Sequence, residues 1–335
     1  MSMNNFSPSL QKYHFIVKYN LKGCIFMKKL VIMTLLVFLL AGCNSSHDKD
    51  NSSSINSADS SDTSQVTQST SSTENTTAAL TKSDQTSTSK STSDSNKIKV
   101  SIPEGYTFAR IAETLEAKGI CKKEDLIAIV NSTKFNDYSL ISQIGDTSKR
   151  PFRLEGYLSP ATYDLTKGEG AESVLRKLVN QNEKVINSNI RSQAKNQGFT
   201  MDQIIILASM IEKESKTDSD RYNVSAVFRN RLKQGKQLQS CATIKYVEGA
   251  VKPYISGDVN RYNSLINTYK AAGLPSSPIC SPGIKSIQAA LNPTSGSTYL
   301  YFFSDVKGKL YFSSTYDEHQ QKMKQFGVVE AYNQT

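Results

Sequence analysis

The sequence predicts an α+β fold in which helices pack on a mainly antiparallel sheet, beside a small N-terminal subdomain. Three observations carry that expectation. Apolar residues recur at helical spacing through residues 171–239. Two aromatic-rich runs in TYLYFFSDVKGKLYFSSTY (298–316) flank Gly308 and read as a hairpin. A short alternating strand, KIKVSI (97–102), opens a strand, helix, turn, helix segment.

The chain has 335 residues and a formal net charge of +10, enough length for one or two domains with proper cores. Its one long apolar stretch is LVIMTLLVFLLAG (30–42), preceded by Lys28 and Lys29 and followed by Cys43. A comfortable membrane span needs about 20 residues, so a secretory leader over residues 27–43 fits better, with an uncleaved anchor helix as the other reading. LLAGC resembles a bacterial lipobox, which makes Cys43 the lipidated first residue of the mature protein. Met27 starts that leader naturally, so residues 1–26 read as an over-long gene start. Residues 44–96 are rich in Ser and Thr and nearly devoid of apolar side chains, the composition of a flexible tether. A coil of that length reaches on the order of 40 Å. The tether is net acidic, so the positive charge lies in the folded part. A basic exported body points to an anionic wall polymer or lipid surface, and no interleaving of aromatic and basic residues favours nucleic acid.

From residue 97 a strand leads through Pro103 and Gly105 into a helix carrying Ile111, Ala112 and Leu115, stopped by Gly119, and a second helix begins at Lys123. Residues 131–153 form a loop-rich connection ending at RPFRLEGYLSPATYDL, where Gly156 suggests close approach of backbone. Residues 171–197 read as one long amphipathic helix through Val174, Leu178, Val185 and Ile190, ended by Gly198.

The chemistry is expected in DQIIILASMIEKESKTDSDRYNVSAVFRNRLKQGKQLQ (202–239), where an apolar run stops in acid, base, acid. At 100° per residue Glu214 continues the stripe of Leu207 and Ile211, away from a polar side formed by Asp202, Ser209, Lys213 and Lys216; Glu212 points about 200° round from it. A carboxylate on an apolar stripe faces a cleft or is half-buried, and partial desolvation suits a general acid. The alternative is a surface Glu at a fraying helix end. In the next helix Val224, Val227, Phe228 and Leu232 make a core face, and Arg229, Arg231, Lys233 and Lys236 a basic, solvated side.

Five collinear segments resemble the signatures of the YceG-like family: LEGYLSPATYDL (154–165), LASMIEKES (207–215), VFRNRLKQGKQLQ (227–239), NTYKAAGLP (267–275), and SPGIKSIQAALNP with TYLYFF (281–303). The resemblance spans roughly residues 97–325. It implies an endolytic lytic transglycosylase that cuts MurNAc–GlcNAc bonds of nascent peptidoglycan strands, leaving 1,6-anhydro ends, near the membrane and beside peptidoglycan synthases. It marks Glu214 as the catalytic acid/base. Glu155, Tyr157, Glu212, Asn230, Arg231, Gln239, Asn267 and Tyr269 become supporting or substrate-binding residues. Glu155 then assists in the cleft and Tyr157 stacks on a sugar, unless both anchor a strand end. The segment 97–135 resembles a LysM-like subdomain, for glycan contact or for positioning, and 136–335 becomes the YceG-like catalytic domain. Ser159, Ala161 and Cys241 depart from the family pattern, and the departures at Ser159 and Ala161 weaken any second catalytic carboxylate in 154–165. Cys241 and Cys280 both sit at motif positions of an exported chain, which suggests a disulfide clamping two loops near the site.

No cofactor and no metal are expected, since His319 is the one histidine of the folded part and no Cys/His cluster has zinc spacing. A lone histidine of this kind is more often structural. Neither a Gly-rich phosphate loop nor a serine-nucleophile motif is visible, against nucleotide and acyl-transfer chemistry. The rival readings are a catalytically silent wall-binding lipoprotein and a solute-binding lipoprotein of an importer.

Overall fold

The computed structural model describes residues 96–328, which belong to a single compact unit. The expected over-long start, the leader with Cys43 and the Ser/Thr-rich segment up to Ser95 lie outside the described residues. Strand β1 (Lys97–Ile102) alternates exposed and buried positions, turning Val100 and Ile102 inward. Pro103 and Gly105 break it, and Thr107 caps α1 (Phe108–Ala117) by accepting from Arg110 N. After α2 (Lys123–Ile129) and the short α3 (Ser139–Ser142), the chain reaches β2 (Ala161–Thr166). β2 pairs antiparallel with β1, Lys97 opposite Thr166 and Ile102 opposite Ala161, so the N-terminal strand–helix–helix segment is closed by a strand that follows α3 in the chain.

Helices then dominate. The expected long helix is two, α4 (Ala171–Val185) and α5 (Ser188–Asn196), because Asn187 turns extended and its side chain caps the amide of Ile190. Next come α6 (Met201–Glu214) and α7 (Asp218–Lys233), each opened by a threonine capping box, Thr200 with Gln203 and Thr217 with Asp220. There follow α8 (Cys241–Tyr246), which runs on through a π turn at Val247–Val251, α9 (Asn260–Ile266) and α10 (Ile284–Leu291). The hairpin β3 (Tyr301–Ser304) and β4 (Leu310–Ser313) precedes α11 (Tyr316–Gln325).

The helices do not lie on a mainly antiparallel sheet. The described strands make two separate two-stranded ribbons, too narrow to cover a helical layer. The centre is α6, buried at Met201 and at every residue from Ile204 to Ile211, and packed against α7 and α10. Ser209, assigned to a polar side by its chemistry, is fully buried: its hydroxyl donates to Ile206 O and accepts from Ile279 N, so the helix is enclosed on that side too.

The LEGY turn (154–157) ties these parts together. Both oxygens of Glu155, fully buried, accept from Phe108 N at the start of α1 (3.0 and 3.1 Å), and Oε2 also accepts from Tyr246 of α8 at 3.0 Å. Gly156 has φ +85°, and a Cβ there would fall 2.5 Å from Pro278 Cβ. Tyr157, also fully buried, donates to Asp202 Oδ1 at 2.5 Å, and Arg150 binds the other oxygen of Asp202.

Two outcomes follow from this junction. Gly156→Ala combines left-handed backbone with a clash against a proline ring, and costs about 2–4 kcal/mol in denaturant unfolding. Burial pushes the Glu155 carboxyl from 4.5 up to about 7, against its hydrogen bonds from Phe108 and Tyr246. The folded state therefore favours the neutral acid. Its contribution is complete below about pH 4.5 and is lost as the pH rises through about 7, a change of up to about 3 kcal/mol. Urea titrations at several pH values check this: relative to wild type, Glu155→Gln gains stability across that window, and a parallel pair of curves contradicts it.

Candidate active site

Glu214 is the last residue of α6, where Ser215 leaves the helix in extended conformation (φ −116°, ψ 143°). Ile211 one turn back is in the core, Glu214 is half-buried, and Lys213 and Lys216 are exposed. The carboxylate thus stands where the apolar stripe meets solvent, as the helical spacing predicts. The hairpin turn closes in beside it: Gly308 has φ +81°, and a Cβ on it would lie 2.0 Å from Lys216 Nζ.

Opposite Glu214 is the start of α8. Ser240, 2% exposed, donates its hydroxyl to Glu214 Oε1 at 2.5 Å. Its amide donates to Thr268 Oγ1 at 2.9 Å, and the amide of Gln239 donates to Thr268 O at 3.1 Å. Gln239 has φ +51°, in the left-handed region where a side chain costs about 1–3 kcal/mol. The strain sits in the residue that delivers Ser240 to Glu214.

The expected basic side of α7 is only partly solvated. Arg231, 8% exposed, donates to Leu300 O (2.6 Å), Gln237 O (2.9 Å) and Gln239 Oε1 (2.7 Å), with its guanidinium 5.1 Å from the Tyr301 ring. Asn230 donates to Ser297 O and Tyr299 O. These two side chains spend their donors on backbone carbonyls and on the Gln239 side chain, and staple the approach to β3 and the 237–239 segment beside the site. Arg229 lies over the Phe199 ring at 4.2 Å. Asn267 is buried and turns the chain, its Oδ1 accepting from Tyr269 N at 3.0 Å, which brings the Tyr269 hydroxyl 3.1 Å from Cys241 Sγ. Gln239, Asn267 and Tyr269 therefore gather around Ser240 and so around Glu214.

Three other acids and aromatics of the motifs do not. Glu212 faces away from Glu214, accepting from Ser286 Oγ (2.7 Å) and Gly283 N (3.2 Å) at the start of α10 and pairing with Arg221 at 3.5 Å. It fastens α6 to α7 and α10. Glu155 and Tyr157 are fully buried in the LEGY junction, so the cleft-assisting and sugar-stacking readings give way to the anchoring one. Ala161 sits opposite Ile102 in the β ladder and Ser159 is buried. The expected Cys241–Cys280 bridge is absent. Cys280 is buried with its thiol donating to Ser209 O at 3.3 Å, while Cys241 is exposed beside Tyr269. His319 packs its ring against Tyr301 and Phe303, centroids 5.3 and 5.5 Å away, a structural position in the hairpin–α11 cluster. Sequence reasoning missed Ser240, Thr243 and Thr268. The available signal was a serine immediately before a short helical run, the mark of an N-cap.

The YceG-like family model matches residues 65–325. A Streptococcus pneumoniae (serotype 2, strain D39) protein named endolytic murein transglycosylase is 33% identical over 243 residues, covering 67% of this chain and 44% of its own length. A Bacillus subtilis (strain 168) protein of the same name is 28% identical over 239 residues, covering 68% of this chain and 64% of its own. The chain thus spans less than half the length of the pneumococcal relative. A crystal structure of a YceG-like protein from Listeria monocytogenes, 34% identical, covers 67% of this chain and 74% of that one with a TM-score of 0.57. With the family model matched along most of its length, the chain belongs to the YceG-like family.

Proposed function

We propose that the chain is an endolytic lytic transglycosylase that cleaves MurNAc–GlcNAc bonds of peptidoglycan strands, with Glu214 as its single acid/base. The observation that carries this reading is the isolation of Glu214 among the acids of the family motifs. Glu212 is engaged by Arg221, Ser286 and Gly283, Glu155 is sealed in the core, and Asp164 pairs with Lys99 across the β1–β2 ladder. A glycosidase that uses water employs two carboxylates flanking the bond. With one, the economical route is for the substrate to supply the nucleophile. Glu214 protonates the glycosidic oxygen as the bond to the MurNAc C1 breaks and positive charge builds on the ring. The MurNAc C6 hydroxyl then attacks C1, and the Glu214 carboxylate takes its proton. The bonds balance without water, the product is a 1,6-anhydro end, and Glu214 finishes protonated for the next cycle.

In the same reading the exposed Gln239 and half-buried Tyr269 contact the strand, as does the LysM-like segment from residue 97. The body is held at the outer face of the cell membrane through Cys43 and its tether, close to peptidoglycan synthases. The relatives named endolytic murein transglycosylase, and a folded part carrying the chain's positive charge, support this reading.

Incubating the full chain with un-crosslinked glycan strands and analysing the muropeptides by mass spectrometry tests it. Wild type yields anhydro-ended internal fragments, and Glu214→Gln, which keeps the shape but removes the acid, loses at least about 10²-fold in rate. Strands that bind wild type but stay intact contradict the reading and favour a silent wall-binding protein.

A further inference from the structure

The protons around Ser240 can be assigned one by one. Thr243 Oγ1 donates to Ser240 O at 2.7 Å, so its single hydroxyl proton is used, and it accepts from Thr268 N at 3.2 Å. The contact of 3.2 Å between the Thr243 and Thr268 hydroxyls must then have Thr268 as donor. Thr268 Oγ1 in turn accepts from Ser240 N at 2.9 Å, and Thr268 O accepts from Gln239 N at 3.1 Å. Ser240, Thr243 and Thr268 are 2%, 0% and 0% exposed, so water does not compete within the loop. The circuit Ser240, Thr268, Thr243 closes on itself. The one proton it leaves pointing outward is the Ser240 hydroxyl, directed at Glu214 Oε1 at 2.5 Å.

We propose that Ser240 is the positioning residue of Glu214, and that the Thr243–Thr268 pair acts through it by fixing the backbone and the direction of its hydroxyl. This rests on the catalytic reading of Glu214. The device engages one carboxylate oxygen only. Among the described residues no hydrogen bond reaches Oε2, so with Oε1 held by Ser240 the oxygen that exchanges the proton with the glycosidic bond is Oε2. A carboxyl at the last residue of a helix otherwise turns about its side-chain bonds, and loss of orientation of about 1 Å at an acid costs roughly 10²-fold in rate. The strained φ of Gln239 and its clamp by Thr268 have the same purpose, since the turn there sets where Ser240 begins.

The test is steady-state cleavage by the full chain carrying Ser240→Ala, Thr268→Val, Thr268→Ser and the double Ser240→Ala/Thr268→Val change, with melting temperatures alongside. Ser240→Ala is expected to lower kcat by roughly 10²-fold with KM nearly unchanged. Thr268→Val, which keeps shape and loses the hydroxyl, lowers kcat by about tenfold, and Thr268→Ser restores it. The double variant matches Ser240→Ala, because Thr268 has nothing left to act on. Wild-type kcat in Ser240→Ala, or losses that multiply in the double variant, overturn the proposal. Crystal structures of wild type and Ser240→Ala separate it from the functional reading. The Glu214 carboxylate is expected in one orientation in wild type and in several in the variant. An unmoved carboxylate overturns the positioning role even if wild type cleaves strands, whereas a wild type that makes no anhydro ends defeats only the transglycosylase reading.

Discussion

The structure depends on a carboxylate buried with hydrogen bonds in place of an ion pair. Glu155 receives the first amide of α1 and the Tyr246 hydroxyl of α8, and thereby joins the N-terminal ribbon unit to the helices that carry the site. Burying a charged carboxylate is costly, and burial here raises the carboxyl to about 7, so that it takes up a proton more readily than an exposed one. Its neighbours add stiffness of other kinds. Gly156 lets the turn touch Pro278, and Tyr157 reaches Asp202 near the start of α6. The LEGY turn is thus the splice between α1, α6, α8 and the loop before α10.

From that splice the site is built outward along α6. The helix is enclosed from Ile204 to Ile211, which makes it a rigid rod whose free end presents Glu214. Glu212 locks the same end to α7 and α10, so the two acids of EKE divide the work: one holds the helix, and the other, left at its free end, is the acid proposed to meet the substrate. On the facing side Arg231 and Asn230 fasten the hairpin approach and the 237–239 strap, and Thr268 fastens Ser240. One neutral hydroxyl, that of Ser240, holds one oxygen of Glu214, and the second oxygen is the one proposed to transfer the proton.

Much of this was legible in the sequence where local periodicity decides the outcome. The half-buried position of Glu214, the opposite direction of Glu212, the stop at Gly198 and the Gly308 hairpin all follow from spacing or glycine chemistry within a few residues. The break at Asn187 was not, because an amphipathic pattern runs through both α4 and α5 and a single cap residue interrupts it. Ser209, Arg231 and Tyr157 misled in one direction: their side chains suggest surface or cleft, and each is buried with at least one hydrogen bond to a group far away in sequence. A motif likewise names residues without saying which way they face, so Glu155 was legible as important and not as sealed. The Cys241–Cys280 pairing failed for the same reason, since motif position sets proximity to a site and says nothing about the direction of a thiol.

The central claim is that one carboxylate, Glu214, breaks the glycan bond with the substrate's own hydroxyl as nucleophile. The most direct measurement is strand cleavage by the full chain in heavy-oxygen water, with the new chain ends read by mass spectrometry. The account predicts anhydro ends that carry no oxygen from the solvent. New reducing ends labelled by the water would contradict it, because water and a second base would then have done what is assigned here to the C6 hydroxyl and Glu214.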